Sequence, residues 1–145
     1  MQDFPHHYSI SADASTEGTV SVGGEGLQSL ATSSPPEFGG PEGYWSPETI
    51  LVAAVANCYI LTFRAVARAS RLEWHSLSCS VDGVLDRIDR TTRFTEYHVK
   101  AVLHLPPGGN EEKAKKLLDK ANTGCLITNS LNGIEYVDAK VIVID

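Results

Sequence analysis

The spacing of hydrophobic and polar residues divides the chain into helical and strand-like stretches. Between residues 46 and 70 nearly every face is apolar, which predicts a helix enclosed by other elements or by a partner chain. Ser46 is suited to cap this helix, with Pro47 at its first position and Glu48 in its first turn. From residue 74 to residue 105 the apolar residues instead alternate with polar ones. That period of two predicts half-buried strands, joined by an exposed connection over residues 86–93.

The C-terminal third predicts a second helix and a final strand. Asn110 is expected to cap the helix, which covers residues 110–131 and is broken near residues 123–124. The final strand is predicted over residues 135–144. The apolar stripe of the helix consists of Ala114, Leu117, Leu118, Ala121 and Cys125.

Residues 1–45 predict short strands followed by a loop rich in proline and glycine. The strands are expected at residues 6–12, 19–22 and 27–32, separated by glycine-containing turns. The loop over residues 33–45 carries aromatic residues and is expected to be ordered. This order of elements predicts one α+β domain over residues 1–145, rather than a doubly wound α/β fold.

Charge and composition narrow the classes of function. The formal net charge of −6 arises entirely from residues 1–47, which contain no Lys or Arg. No basic stripe is present for a phosphate backbone, so no nucleic-acid partner is expected. The longest apolar run, residues 50–63, is shorter than the roughly 20 residues of a membrane span, so no membrane association is expected. The start of the chain lacks the features of a signal peptide, and the odd cysteine count suits a reducing cytoplasm.

The three cysteines are the candidates for chemistry. Each is either a small hydrophobic residue of the core or a reactive thiol. Cys58 lies in the middle of the first predicted helix and Cys125 in the second, so the two thiols are able to meet and cycle between thiol and disulfide. Cys79, on the inward face of a predicted strand, is interpreted as a core residue.

Other catalytic and binding motifs are missing. The five histidines form no cluster with metal-ligand spacing, so no metal and no cofactor are expected. The glycine pairs lack the lysine and the strand–loop–helix context of a phosphate loop. No GxSxG supports a serine hydrolase.

Two segments resemble the OsmC/Ohr family, the osmotically inducible and organic hydroperoxide resistance proteins. They are SPETILVAAVANCYILTFRAVAR, residues 46–68, and ANTGCLITNSLNGIEYVDAKVIV, residues 121–143. The family usually has Cys-Pro-Val in the second segment, where this chain has Cys125-Leu126-Ile127. The resemblance implies an OsmC-like fold, with an intertwined homodimer around a buried central helix and a second, amphipathic helix packed against antiparallel-rich sheets.

The resemblance also implies roles for individual residues. Cys58 would be the peroxidatic thiol, which attacks an organic hydroperoxide and becomes a sulfenic acid, and Cys125 would resolve it to a disulfide that a lipoyl-type or other dithiol reductant reopens. Glu48 matches a glutamate that positions an arginine beside the thiolate. It precedes Cys58 by about 15 Å along the helix axis, so it would act on the partner chain's cysteine or through a bridging arginine.

The family's arginine has no counterpart in residues 1–47, which marks the chain as a divergent branch. Candidates for a replacement cation are His6, His7 and Arg68. We therefore hypothesise a cytoplasmic, dimeric thiol peroxidase for oxidative-stress defence, and the alternative is a non-catalytic OsmC-like domain that binds a small apolar ligand at the dimer interface. Residues interpreted as a substrate pocket, or else as ordinary core aromatics, are Phe38, Tyr44, Trp45, Tyr59 and Phe63.

Overall fold

The computed structural model describes all residues, Met1–Asp145. They form two compact units, Met1–Leu51 and Val52–Asp145. Helix α1, Pro47–Ala69, begins in the N-terminal unit and continues into the C-terminal unit.

The N-terminal unit contains a small antiparallel sheet. Its strands, in the order β1-β2-β3, are Ser11–Asp13, Val20–Gly23 and Leu30–Thr32. β1 and β3 are shorter than predicted, and β2 is displaced by one residue. Glycine-rich turns limit the pairing between neighbouring strands to three residue pairs. The following loop contains a 3-10 turn, Pro36–Phe38, and returns to β3 through the hydrogen bond from Ser33 N–H to the Trp45 carbonyl at 2.9 Å.

Helix α1 starts at the residue that the sequence indicated. The Thr49 N–H donates to Ser46 Oγ at 3.2 Å, while the Ser46 N–H donates to Thr49 Oγ1 at 2.8 Å, so Ser46 caps the helix as predicted. By length and composition alone the helix is long and apolar enough to cross a membrane. This differs from the expectation that its apolar run is too short. Core helices of soluble proteins meet the same test. Its buried face consists of Val55, Tyr59, Phe63 and Ala67.

The C-terminal unit is built on a second three-stranded sheet in the order β4-β5-β6, with strands Ser76–Ile88, Thr91–Leu105 and Ile134–Val143. Strands β4 and β5 are antiparallel and join at a tight turn in which Asp89 and Arg90 have φ of 50° and 68°. This turn lies within the exposed connection predicted over residues 86–93. The alternation predicted for β5 is confirmed, since Tyr97, Val99, Ala101, Leu103 and Leu105 are buried.

Helix α2, Glu111–Gly124, connects β5 to β6. The Lys113 N–H donates to Asn110 Oδ1 at 3.0 Å, which confirms the predicted cap. The predicted break becomes the end of the helix, followed by a 3-10 turn, Thr128–Ser130. Because α2 carries the chain back along the sheet, β6 pairs with β5 in parallel, which the sequence did not indicate. The α+β class and the antiparallel-rich sheets are confirmed.

Candidate thiol active site

The structure brings together the two cysteines that the sequence singled out. Cys58 lies mid-way along α1 and is partly exposed, whereas Cys125 follows the last residue of α2 and is only 1% exposed. Both thiols are free, and they lie near enough for each to shift the pKa of the other. A substrate in solution can therefore reach Cys58 but not Cys125.

The end of α2 explains how Cys125 reaches α1. Gly124, the last residue of α2, packs beside α1, since a Cβ there would lie at ordinary van der Waals distance, 3.5 Å, from Thr62 Cγ2. Cys125 then leaves the helical conformation with ψ of 103°. Its carbonyl accepts hydrogen bonds from the Asn129 N–H at 3.0 Å and from Thr128 Oγ1 at 3.1 Å, which fix the tight turn that follows.

The surroundings of Cys58 favour its thiolate. Burial alone would raise its pKa, but hydrogen bonds from the Ile127 N–H, the Cys125 thiol, the Thr62 hydroxyl and the Leu126 N–H together outweigh burial, so the pKa lies below the ordinary thiol value. The Thr62 contact spans 3.7 Å from Cys58 Sγ to Thr62 Oγ1. Backbone amides and two neutral side chains thus supply the stabilisation that a cation usually gives to a reactive thiolate.

The surroundings of Cys125 favour its protonated form. Burial raises its pKa, hydrogen bonds from the side chain and the N–H of Thr128 only partly oppose this, and the neighbouring charge of Cys58 raises the pKa further. Of the two neighbouring thiols, Cys58 therefore ionises first and Cys125 keeps its proton.

A second group of titratable side chains lies near Cys125. Burial, with the nearby Cys125 and Glu135, raises the pKa of Cys79 to about 11. The Tyr59 side chain is 2% exposed, its hydroxyl has no hydrogen-bond partner, and its pKa is raised by burial and by the charges of Cys79, Asp119 and Glu135. Cys79 is therefore a protonated inner thiol at neutral pH.

Glu48 lies in the N-terminal unit, in the first turn of α1. Its Oε2 is buried without a hydrogen-bond partner in the chain. A buried carboxylate oxygen in that state requires a donor.

The other residues predicted for the site are distributed over both units. Phe38, Tyr44 and Trp45 are exposed residues of the N-terminal unit. Tyr59 and Phe63 belong to the core of the C-terminal unit, where Phe63 makes an edge-to-face contact with Trp74 at 5.4 Å between ring centroids.

The candidate replacement cations are exposed or engaged locally. His6 Nε2 lies 3.0 Å from the Gln2 carbonyl and its ring stacks on Phe4, while His7 is exposed. Arg68 is exposed in the last turn of α1, ten residues after Cys58 and thus about 15 Å further along the axis. No group of three or more His, Cys, Asp or Glu side chains is arranged to hold a metal ion.

Sequence reasoning missed Thr62, Thr128 and Glu135, although the positions of Thr62 and Glu135 follow recognisable patterns in the sequence. Thr62 follows Cys58 by four residues, which places both side chains on one helix face. Glu135 shares the inward parity of Val137 in β6, so an acid lies on an otherwise apolar face. The amides of Leu126 and Ile127 carry no signal in their side chains, because their role depends on the backbone turn.

A protein-family model and a related protein each match most of the chain. A sequence model described as OsmC-like protein matches residues 39–137. The uncharacterized protein YmaD of Bacillus subtilis (strain 168) is 25% identical over 132 residues, which cover 88% of each chain.

Two solved structures are similar over nearly the whole chain. An organic hydroperoxide resistance protein OsmC from Legionella pneumophila has a TM-score of 0.75 and 24% identity, covering 97% of this chain and 99% of that one. An organic hydroperoxide resistance protein from Elizabethkingia anophelis, with thiocyanate bound, has a TM-score of 0.75 and 21% identity, covering 97% and 100%. Both similarities support the OsmC-like fold.

Proposed function

Because this chain belongs to the OsmC-like protein family, we propose that it is a thiol-dependent peroxidase that reduces organic hydroperoxides and contributes to oxidative-stress defence. Relatives of the same fold are described as organic hydroperoxide resistance proteins. The activity proposed for this chain rests on its own thiols.

The observation that carries the proposal is the opposite setting of two neighbouring thiols. The accessible Cys58 has a lowered pKa, and the buried Cys125 has a raised one. Neighbouring groups whose environments drive their pKa values apart are typical of a site in which each has a different role. A nucleophilic thiol with a lowered pKa beside a resolving thiol with a raised pKa fits this division of roles.

The reaction follows from these two states. The Cys58 thiolate attacks the terminal oxygen of the hydroperoxide, so that an S–O bond forms, the O–O bond breaks and the alcohol leaves after taking up a proton. The Cys125 sulfur then attacks the Cys58 sulfur, which forms the disulfide and releases water. A dithiol reductant supplies the two electrons that restore both thiols.

An exposed apolar side chain beside Cys58 supports a substrate with a hydrophobic tail. Leu126, whose N–H helps to lower the pKa of Cys58, is 65% exposed. An alkyl or aryl group would gain about 25 cal/mol for each Å² of apolar surface buried there. The assignment of Phe38, Tyr44 and Trp45 to the substrate pocket stays a prediction.

Helix α1 is only partly covered by its own chain, which supports a homodimer. The buried oxygen of Glu48 has no hydrogen-bond partner, which supports a role for Glu48 in holding a cation. Within such a dimer the cation would come from His6, His7 or Arg68 of either chain. These assignments are part of the proposal.

Titration of the reduced protein with cumene hydroperoxide tests the activity. We expect loss of two thiols per chain at about one equivalent, with the disulfide mapped to Cys58 and Cys125. The Cys58→Ser variant should consume no hydroperoxide, and Cys125→Ser should stop at a Cys58 sulfenic acid that dimedone traps. Cys79→Ala is the matched control and should still lose two thiols.

Thiols that stay reduced in excess hydroperoxide would overturn the peroxidase and favour the non-catalytic, ligand-binding alternative. In that case an apolar ligand should still bind, and Cys58→Ser should not weaken its binding.

A further inference from the structure

A groove of about 530 Å³ lies on the outer face of the second sheet. Its lining residues come from β4, β5 and the segment that leads into β6, so it belongs wholly to the C-terminal unit. Side chains alternate along a strand, and the groove therefore lies on the face of β5 opposite to the buried Tyr97 and Val99. It takes no part in the proposed thiol chemistry.

A β-bulge shapes the floor of this groove. Glu96 is the register partner of Val84 in β4 and of Ile134 in β6, so its carboxylate lies between two aliphatic side chains. The register shifts between Val84 and Leu85, which leaves Thr95 without a partner residue in β4. Two consecutive residues of β5 consequently line the groove, and the Thr95 hydroxyl holds the bulge by donating to the Val84 carbonyl at 3.3 Å.

Glu96 is held in position from one side by a stacked pair of rings. Its Oε2 lies 3.3 Å from Nε2 of His98, and the His98 ring stacks on Tyr136 with 4.9 Å between centroids and 12° between planes. The Glu96 side chain is 38% exposed. A carboxylate has two acceptor oxygens, so Oε1 can accept hydrogen bonds from a ligand while His98 fixes the other oxygen.

A second carboxylate lies diagonally across the groove. Asp86 is on the same face of β4, at the diagonal position that usually separates two residues by about 7 Å. Its Oδ1 accepts from the N–H of the following residue at 2.7 Å, and it forms no ion pair. Arg93, its register partner, donates instead to the Phe94 carbonyl at 3.5 Å. The lining thus contains two acids and one base, and Asp82 adds a negative charge one row further along the sheet.

The rest of the lining is aliphatic or neutral. Val84, Ile88 and Ile134 form its apolar part, and the Asn132 amide lies at its end. The excess of negative charge favours a cation, the two separated carboxylates favour two positive centres, and the apolar part favours methylene groups between them. An ammonium group carries three donors and no acceptor, which matches carboxylate and amide oxygens.

We propose that this groove binds a free aliphatic polyamine. One ammonium group contacts Glu96, a second contacts Asp86, and the methylene groups between them pack on the aliphatic side chains of the lining. Binding is non-covalent and does not involve Cys58 or Cys125, so the inference goes beyond the proposed function and does not depend on it.

Calorimetric titration of the full reduced chain with spermidine tests the proposal, at about 0.15 M salt so that long-range attraction is screened. We expect saturable binding of one spermidine per chain, at least tenfold tighter than that of butylamine, which has a single charge. Glu96→Gln and Asp86→Asn should each weaken spermidine binding on the order of tenfold, because each removes one charged acceptor.

Matched variants separate a built site from attraction to an acidic chain. Asp138→Asn removes the same charge from the same face of β6 outside the groove, and Cys58→Ser removes the reactive thiol, so both should bind spermidine unchanged. Equal losses in Glu96→Gln and Asp138→Asn would overturn the proposal, as would absence of saturable binding. Tighter binding of a dilysine peptide than of spermidine would assign the groove to lysines of a partner protein and overturn the free polyamine. Inertness of the chain toward cumene hydroperoxide would count only against the peroxidase.

Discussion

At the scale of single residues, the difference between Cys58 and Cys125 arises from their hydrogen-bond donors. Cys58 receives two backbone amides and the Thr62 hydroxyl, which outweigh the effect of burial on its pKa. Cys125 receives donors from Thr128 alone and lies next to the developing charge of Cys58. Neutral hydrogen-bond donors therefore lower the pKa of the nucleophile, and removal of one donor should raise that pKa measurably.

The Thr62→Val substitution should raise the pKa of Cys58. A hydrogen bond to a charged group contributes about 1.5–3 kcal/mol, and 1.36 kcal/mol corresponds to about one pKa unit, so the shift should be about one to two units. The rate of Cys58 alkylation by iodoacetamide, followed against pH, measures it. Valine keeps the methyl group near Gly124, and Thr92→Val, at an exposed position of β5, serves as the control. An unchanged alkylation profile would exclude Thr62 as a donor.

At the scale of elements, a glycine in β4 determines how closely helix α1 approaches the sheet. A Cβ on Gly83 would lie 2.7 Å from Val52 Cγ2 and 2.9 Å from Phe94 Cε1. Both distances are below van der Waals contact, so the helix can rest on the sheet only where β4 has glycine. This contact holds the helix segment that carries Cys58.

The Gly83→Ala substitution should lower the free energy of unfolding by about 1–3 kcal/mol, because an added methyl group overpacks the contact with Val52. Urea denaturation measures the change, and Ser80→Ala on the outer face of β4 is the control. In the double variant with Val52→Ala the two losses should be less than additive, since the smaller side chain makes room. Strict additivity would show that the two positions are not in contact.

At the scale of the whole molecule, α1 is more apolar than one chain can cover. Its most apolar window of 18 residues has a mean hydropathy of 1.9, yet only 22% of it is buried. Leu61 is the most exposed large apolar residue of the helix, at 50%. An apolar surface of this kind marks an interaction site, which agrees with the proposed homodimer.

We expect the chain to sediment as a particle of twice its 15.7 kDa mass. The Leu61→Glu substitution should weaken the dimer at least tenfold, since burying a leucine contributes about 1.5–3 kcal/mol. Sedimentation equilibrium measures the dissociation constant, with Lys115→Glu on the exposed face of α2 as the control. A monomer at all concentrations, or a Leu61→Glu dimer of unchanged affinity, would contradict the assignment of α1 to the interface.

The elements that the sequence predicted correctly are those governed by local rules. Caps at Ser46 and Asn110 and the alternation in β5 depend on neighbouring residues only, and all are confirmed. The parallel pairing of β6 was missed because it depends on where α2 delivers the chain. Cys58 and Cys125 were singled out by their places in the two predicted helices, and the family resemblance gave them their separate roles.

The turn after Cys125 has a consequence for local dynamics. The amides of Leu126 and Ile127 have the Cys58 thiolate as their acceptor, and that charge vanishes once the sulfur is bound in a disulfide. Two donors are then left without a strong partner, so the turn should open more often. Hydrogen–deuterium exchange of these two amides should accelerate on oxidation, while exchange at Val99 and Leu103 in the core of β5 should not change. The oxidised protein would therefore be most flexible at the turn beside the disulfide, which a dithiol reductant has to reach.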